Sequence, residues 1–81
     1  MNHNVNMAIL ANCMPVIKYG SEGEMVKALQ TILKRYGWFA GEPDGIADGE
    51  TVKGIKLFQI AYSLDEDGVF GAVCWAKLLI G

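Results

Sequence analysis

One phrase is written twice in this chain. "DGIADGETVKGIKLFQ" begins at Asp44, and a looser echo, "DGVFGAVCWAKLL", begins at Asp67, 23 residues later. The same interval separates Thr51 from Cys74, Val52 from Trp75 and Ile55 from Leu78. In each copy an Asp-Gly turn is followed by an apolar residue (Ile46, Val69), a further glycine (Gly49, Gly71) and an apolar helical pattern. Glycine permits the positive φ such turns require, and the aspartate can bond to the backbone ahead of it. The apolar residue after Asp-Gly is expected to tuck under the helix that follows. The repeat therefore predicts a helix-launching loop used twice, each copy starting a helix at a set angle.

A calcium loop is the competing reading of an acidic, glycine-rich phrase, and ligand geometry excludes it. Such a loop needs oxygen ligands at positions one, three and five and a glutamate at position twelve. Counting from Asp44, positions three and twelve are Ile46 and Ile55; counting from Asp65, positions five and twelve are Val69 and Ala76. The single histidine, His3, cannot by itself build a zinc site. No metal and no cofactor is expected.

Apolar spacing supplies the elements. Residues 1–14 show no strong period and read as a tail or linker, with one short apolar patch at "MAIL". Pro15 starts an extended piece in which Val16 or Ile17 meets the core. Ser21 and Glu24 have the spacing of a capping box. Met25, Ala28, Leu29, Ile32, Leu33 and Tyr36 then form one stripe, Lys34 and Arg35 suit the negative end of the helix dipole, and Gly37 stops the helix. Helix one is predicted over about 22–36. Helix two is predicted to begin at an Asp48 cap, with Val52, Ile55, Phe58 and Tyr62 as its stripe and Leu57 and Ala61 alongside. Helix three is predicted from Gly71, with Trp75 as its core residue. Strand signals are weak. The expected fold is all-α: a compact three-helix bundle over residues 15–81, with Asp-Gly loops launching helices two and three.

The 81 residues make one small domain, and a 52% hydrophobic content is enough to build its core. A net charge of −2, with no basic run longer than Lys34-Arg35, argues against a nucleic-acid partner. No apolar run approaches the roughly 18 residues of a membrane span. "LANC" (residues 10–13) resembles the end of a lipoprotein signal, but "MAIL" is too short for a signal core and no Lys or Arg precedes it. No signal peptide or lipid anchor is expected in this chain. Cys13 and Cys74 have no metal-type spacing. One bridge between them stays open, while two separate thiols is the better-supported reading.

The order "GSEGEMVKALQTIL", "YGWF", "DGIADGETVKGIKLFQ", "DGVFGAVCWAKLL" resembles the small peptidoglycan-binding domain attached to many bacterial and phage cell-wall hydrolases, across about residues 15–80. Four positions depart from its pattern. Residues 44–48 read Asp-Gly-Ile-Ala-Asp where the family tends to write Asp-Gly-x-Phe-Gly, Gly54 stands where alanine is usual, and Cys74 replaces a threonine. The resemblance implies a noncatalytic module that recognises peptidoglycan in a shallow groove and targets a linked hydrolase, acting as a monomer at the cell wall or outside the cell. The alternative is a protein-docking or inhibitory module built on the same bundle.

Candidate ligand residues follow from side-chain chemistry. Tyr36, Trp38 and Phe39 crowd around Gly37 beyond what a helix end needs for packing. One ring is expected to staple the helix to the core and another to offer a flat face to sugars or acyl chains. Tyr62 is a weaker candidate of the same kind. Gln30 and Gln59 follow core residues and are expected to support loops, with Gln59 also a ligand candidate. Asp44 and Asp67 are turn-makers that can also meet an amide or hydroxyl at a groove rim. Glu42, Asp48, Asp65 and Glu66 read as solvated loop charges. No nucleophile has a histidine placed to activate it, and Asp44 with Asp48 lacks the desolvated cleft of a glycosidase pair, so no catalysis is expected.

Overall fold

A computed structural model of the chain describes residues 13–80. The expectations for the first twelve residues lie outside that range. Three helices follow one another: α1, Glu24–Arg35; α2, Gly49–Ala61; and α3, Ala72–Ile80. Among the described residues no helix is long and apolar enough to cross a membrane. The all-α, three-helix reading is correct.

The capping box is not. Gly23, at φ +132°, occupies the N-cap of α1 and no side chain caps the helix, which begins at Glu24 rather than residue 22. The Ser21 hydroxyl instead accepts from the Lys18 N–H at 3.0 Å. Long-range pairing explains the change. The Gly23 N–H donates to the Gly45 carbonyl at 2.9 Å and the Ala47 N–H donates to the Ser21 carbonyl at 2.8 Å. A side chain at position 45 would come within 3.1 Å of the Gly23 carbonyl oxygen. The segment ahead of α1 is thus held by a loop more than twenty residues away, and the local cap yields to it.

The same segment also ties down the second copy of the phrase. Ile17 and Phe70 exchange both backbone bonds, at 3.0 and 2.7 Å, and the Gly20 N–H donates to the Ala47 carbonyl at 2.8 Å. Ala47 and Phe70 occupy equivalent positions in the two copies, so residues 17–23 act as a strap across both launching loops. Here another expectation is corrected. Ile46 is 49% exposed; the residue tucked inward is the next one, Ala47 in the first copy and Phe70 in the second. Backbone pairing turns that residue toward the core. The strap itself resolves the choice between Val16 and Ile17, since Ile17 is buried and Val16 exposed.

Helices α1 and α2 stop by the same device. In α1 the Gly37 N–H donates to the Lys34 carbonyl at 3.0 Å and the Trp38 N–H to the Leu33 carbonyl at 2.9 Å. In α2 the corresponding bonds run from Ser63 to Ile60 at 3.1 Å and from Leu64 to Gln59 at 2.8 Å. These are Schellman stops with a left-handed residue at the turn. Glycine takes that role at position 37, but at 63 it falls to a serine, with φ +58°. At the start of α2 the Asp48 carboxylate accepts from the Thr51 N–H at 3.0 Å, as the sequence predicts.

The core holds Ile17, Val26, Leu29, Leu33, Phe39, Ala47, Ile55, Phe58, Phe70, Cys74 and Trp75. Each large apolar side chain buried this way is worth roughly 1.5–3 kcal/mol. The buried face of α1 is rotated from the predicted stripe: Val26 and Gln30 lie inside, while Ala28 and Tyr36 are exposed. On α2, Leu57 and Ala61 likewise face outward, and Thr51, Gly54 and Gln59 are buried instead. On both helices the buried face carries an inward-turned glutamine, Gln30 on α1 and Gln59 on α2. Cys13 and Cys74 are both free thiols, Cys13 exposed and Cys74 buried.

Candidate functional site

The two glutamines organise the loops that carry the candidate site. Gln30, fully buried, points from α1 into the first loop. Its Oε1 accepts from the N–H groups of Asp44 and Gly45 at 3.0 and 2.9 Å. Its Nε2 donates to the Ile46 carbonyl and the Thr51 hydroxyl, both at 2.9 Å, and lies 3.2 Å from Asp44 Oδ1. A primary amide has two N–H groups, so the longest of these three contacts shares a hydrogen.

Gln59 repeats the arrangement from α2. Its Oε1 accepts from the Gly68 N–H at 3.0 Å, and its Nε2 donates to Asp67 Oδ1 at 2.8 Å and to the Val69 carbonyl at 3.0 Å. Where Gln30 meets Thr51, Gln59 meets the Cys74 thiol at 3.5 Å. Each aspartate then turns its Oδ1 onto the backbone two residues ahead, Asp44 to the Ile46 N–H and Asp67 to the Val69 N–H, both at 3.0 Å. Those backbone N–H groups first, and the glutamine amides second, hold both carboxyls below the usual aspartate range. Both aspartates are therefore fixed in direction and fully ionised near neutral pH.

The aromatic candidates separate into inner and outer rings. Phe39 is in the core, 4% exposed. Tyr36, the C-cap of α1, is 53% exposed and stacks on Trp38 with ring centroids 5.0 Å apart and planes 21° from parallel. The left-handed turn at Gly37 makes this contact by folding residue 38 back toward residue 36. Trp38 in turn meets Phe58 edge-on at 5.9 Å, and Tyr62 packs on Phe58 at 4.7 Å. Tyr36, Trp38 and Tyr62 are thus linked through one buried ring. From Phe58 the chain of rings continues inward through Phe70, at 5.1 Å, to Trp75, at 4.8 Å from Phe70. The Trp75 indole N–H donates to the Pro15 carbonyl at 2.8 Å, which fastens the start of the strap.

Immediately beyond Tyr62 an open groove of about 440 Å³ runs between the end of α2, the second Asp-Gly loop and the start of α3. Gln59, Asp65, Asp67, Val69 and Val73 are among its lining residues. The structure therefore gathers Gln59 and Asp67 in one groove with Tyr62 beside it in the chain. It places Tyr36 with Trp38, leaves Asp44 in the other loop on Gln30, and puts Phe39 inside. The groove residues Ser63, Leu64 and Val73 escaped the sequence reading, and Val69 is expected from the sequence only to pack under α3, since no periodic signal marks a groove formed by three separate segments. Among the described residues no cluster of three or more His, Cys, Asp or Glu side chains could hold a metal ion.

The model of the peptidoglycan binding domain family matches residues 22–78. The chain is 39% identical over 57 residues to the spore cortex-lytic enzyme of Bacillus cereus, covering 70% of this chain and 22% of that enzyme. It is 35% identical over 69 residues to the chloroplastic protein disulfide isomerase pTAC5 of Arabidopsis thaliana, covering 80% of this chain and 18% of that protein. The chain thus spans about a fifth of the length of these two relatives. Among solved structures, the crystal structure of the SleB N-terminal domain superposes with a TM-score of 0.74 at 35% identity, covering 82% of this chain and 89% of that one.

Proposed function

Since this chain belongs to the peptidoglycan binding domain family, we propose that it is a noncatalytic module that binds peptidoglycan and holds a linked cell-wall hydrolase against its substrate. The single observation that carries this reading is the stacked Tyr36–Trp38 pair, kept at the surface by the Gly37 turn and backed by Phe58. A flat ring with a polar edge suits a sugar face or a short acyl chain. The platform is built before any ligand arrives, so little ordering cost is left for binding. With a net charge of −2 the chain is not drawn to anionic wall polymers in bulk, and its contacts are local and weak. Weak contacts suffice in a tethered module, because tethering raises the local concentration of substrate seen by the linked domain.

The carboxyl groups support a binding role over a catalytic one. A glycosidase acid needs a raised pKa, and Asp44 and Asp67 are shifted the other way by their loop N–H partners. The cortex-lytic relative and the SleB domain favour placement beside a hydrolase, at the cell wall or outside the cell; that the module acts as a monomer is part of the same proposal. The disulfide isomerase relative adds no redox role, since Cys13 and Cys74 do not form the Cys-x-x-Cys pair such chemistry uses.

The test is co-sedimentation with polymer-stripped peptidoglycan, with chitin and cellulose as controls. Selective pelleting that survives moderate salt and is lost in Tyr36→Ala supports the reading; Tyr36 is exposed enough that this variant keeps the fold. A folded chain that stays in the supernatant with every wall preparation overturns it in favour of protein docking.

A further inference from the structure

The groove beyond Tyr62 is a second, chemically distinct feature that the aromatic platform does not explain. Its volume of about 440 Å³ lies within the range of small-ligand sites. Leu64 and Val69, each half-buried, and Val73, 66% exposed, give it apolar walls. Its charged lining residues are Asp65 and Asp67, with no Lys or Arg among them. Among the described residues neither carboxylate has an ion-pair partner; the recorded pair joins Lys34 to Glu42, on another segment of the chain.

The rim is rigid as well as acidic. Asp67 spends its Oδ1 on Gln59 and on the Val69 N–H, and its Oδ2 makes no hydrogen bond with any described residue. The backbone around Asp65 is bounded by the Ser63 turn on one side and the Gln59 clamp on the other. A rigid apolar trough with two unpaired carboxylates at its edge complements one kind of ligand: a short aliphatic chain ending in a cation. A neutral sugar can donate hydroxyls to those carboxylates but leaves their charge uncompensated, and an acidic ligand is repelled by them. The stem peptides of peptidoglycan carry a diamino acid whose side chain has the required form.

We propose, resting on the wall-binding reading above, that this groove takes the ammonium-bearing side chain of a peptidoglycan stem peptide, with Asp65 and Asp67 facing the ammonium and Leu64, Val69 and Val73 lying along the methylenes. Asp65, which the sequence presents as a solvated loop charge, becomes a ligand contact. The glycan and peptide parts of the polymer would then be read by separate surfaces, the sugar by Tyr36 and Trp38 and the peptide by the groove.

The test is an amide NMR titration of the whole chain with acetyl-lysyl-D-alanyl-D-alanine and with the same peptide acetylated on its side-chain nitrogen. The expected result is saturable shifts confined to residues 63–74, with binding weaker by about three- to fivefold after acetylation, the worth of a partly exposed ion pair. Asp65→Asn, which removes no hydrogen bond within the fold, is expected to reproduce that loss. Equal binding of the two peptides, shifts mapping elsewhere, or no shifts overturns the groove assignment. If the chain still pellets with peptidoglycan in that case, the wall-binding reading survives it. If instead the amine peptide fills the groove but no wall preparation pellets the chain, the assignment to a wall peptide falls together with that reading.

Discussion

Replacing Gln30 by leucine tests whether the glutamine clamps hold this fold together. Leucine is similar in size and suits the buried face of α1, so the substitution isolates the amide from the volume it fills. The Gln30 amide meets the N–H groups of Asp44 and Gly45 through Oε1, and Ile46, Thr51 and Asp44 through Nε2. Without it the buried Gly45 N–H loses Gln30 Oε1, its acceptor in the fold. The Asp44 N–H, on an exposed residue, can turn to water. An orphaned buried donor costs about 1–3 kcal/mol, and losing the bonds to Ile46 and Thr51 adds about 1 kcal/mol each. The apolar gain of leucine offsets roughly 1–2 kcal/mol of this.

The net loss is about 1–4 kcal/mol, with a middle value of about 2–3 kcal/mol, a large share of the 5–10 kcal/mol expected for a domain of this size. It corresponds to a fall in Tm of roughly 10–20 °C. Urea unfolding followed by tryptophan fluorescence reads the change, with Trp38 and Trp75 as probes beside Phe58 and Phe70. Gln59→Leu should behave similarly, with a somewhat smaller loss because its outer partner is a thiol at 3.5 Å. A Gln30→Leu midpoint within experimental error of the parent would refute the argument, because it would show that water serves the loop as well as the amide does.

Three other outcomes follow from the backbone and the loop carboxylates. Gly54→Ala should destabilise by about 1–2 kcal/mol despite the better helix propensity of alanine, because the new methyl would stand 2.7 Å from the Trp38 carbonyl oxygen; stabilisation in a thermal melt would contradict this. Ser63→Gly should stabilise by about 0.5–1 kcal/mol by relieving a left-handed serine, and an unchanged urea midpoint would show that the turn is unstrained. For pH, the carboxyls of Asp44 and Asp67 are lowered in the folded chain. Between their folded and unfolded values the unfolded chain binds more protons, so their contribution is complete above about pH 4 and lost as pH falls through the folded values. Urea midpoints taken from pH 7 to pH 2 should fall in that acid window, and a smaller fall in Asp44→Asn would confirm that its loop is responsible.

Part of this molecule can be read one residue at a time. The three helices, the dipole-matched end of α1, the Gly37 stop and the Asp48 cap depend on neighbours within a turn, and each stands where the spacing predicts. The role of Gln30 and Gln59 in supporting loops was also legible, because an amide beside a core residue must find partners. What could not be read was which amide met which loop, since Gln30 and Asp44 are separated by the last five residues of α1 and the eight-residue connection 36–43.

The aromatic cluster shows the same boundary. That one ring near Gly37 packs inward and another stays out follows from having three aromatics at a helix end. Which ring does which depends on the path of the chain after the turn, and that path is set by α2, whose Gly54 lets the Trp38 backbone approach closely. The sequence by itself determined the local periods, stops and turns, along with the duplicated loop, because these are settled by dihedral preference and contacts a few residues apart. Only the tertiary structure decided the rotation of α1 and α2, the replacement of the Ser21 cap by strap pairing, and the acidic groove beyond Tyr62. Each of those depends on buried backbone groups finding partners from distant segments, and leaving such a group unpaired costs more than any local preference can return.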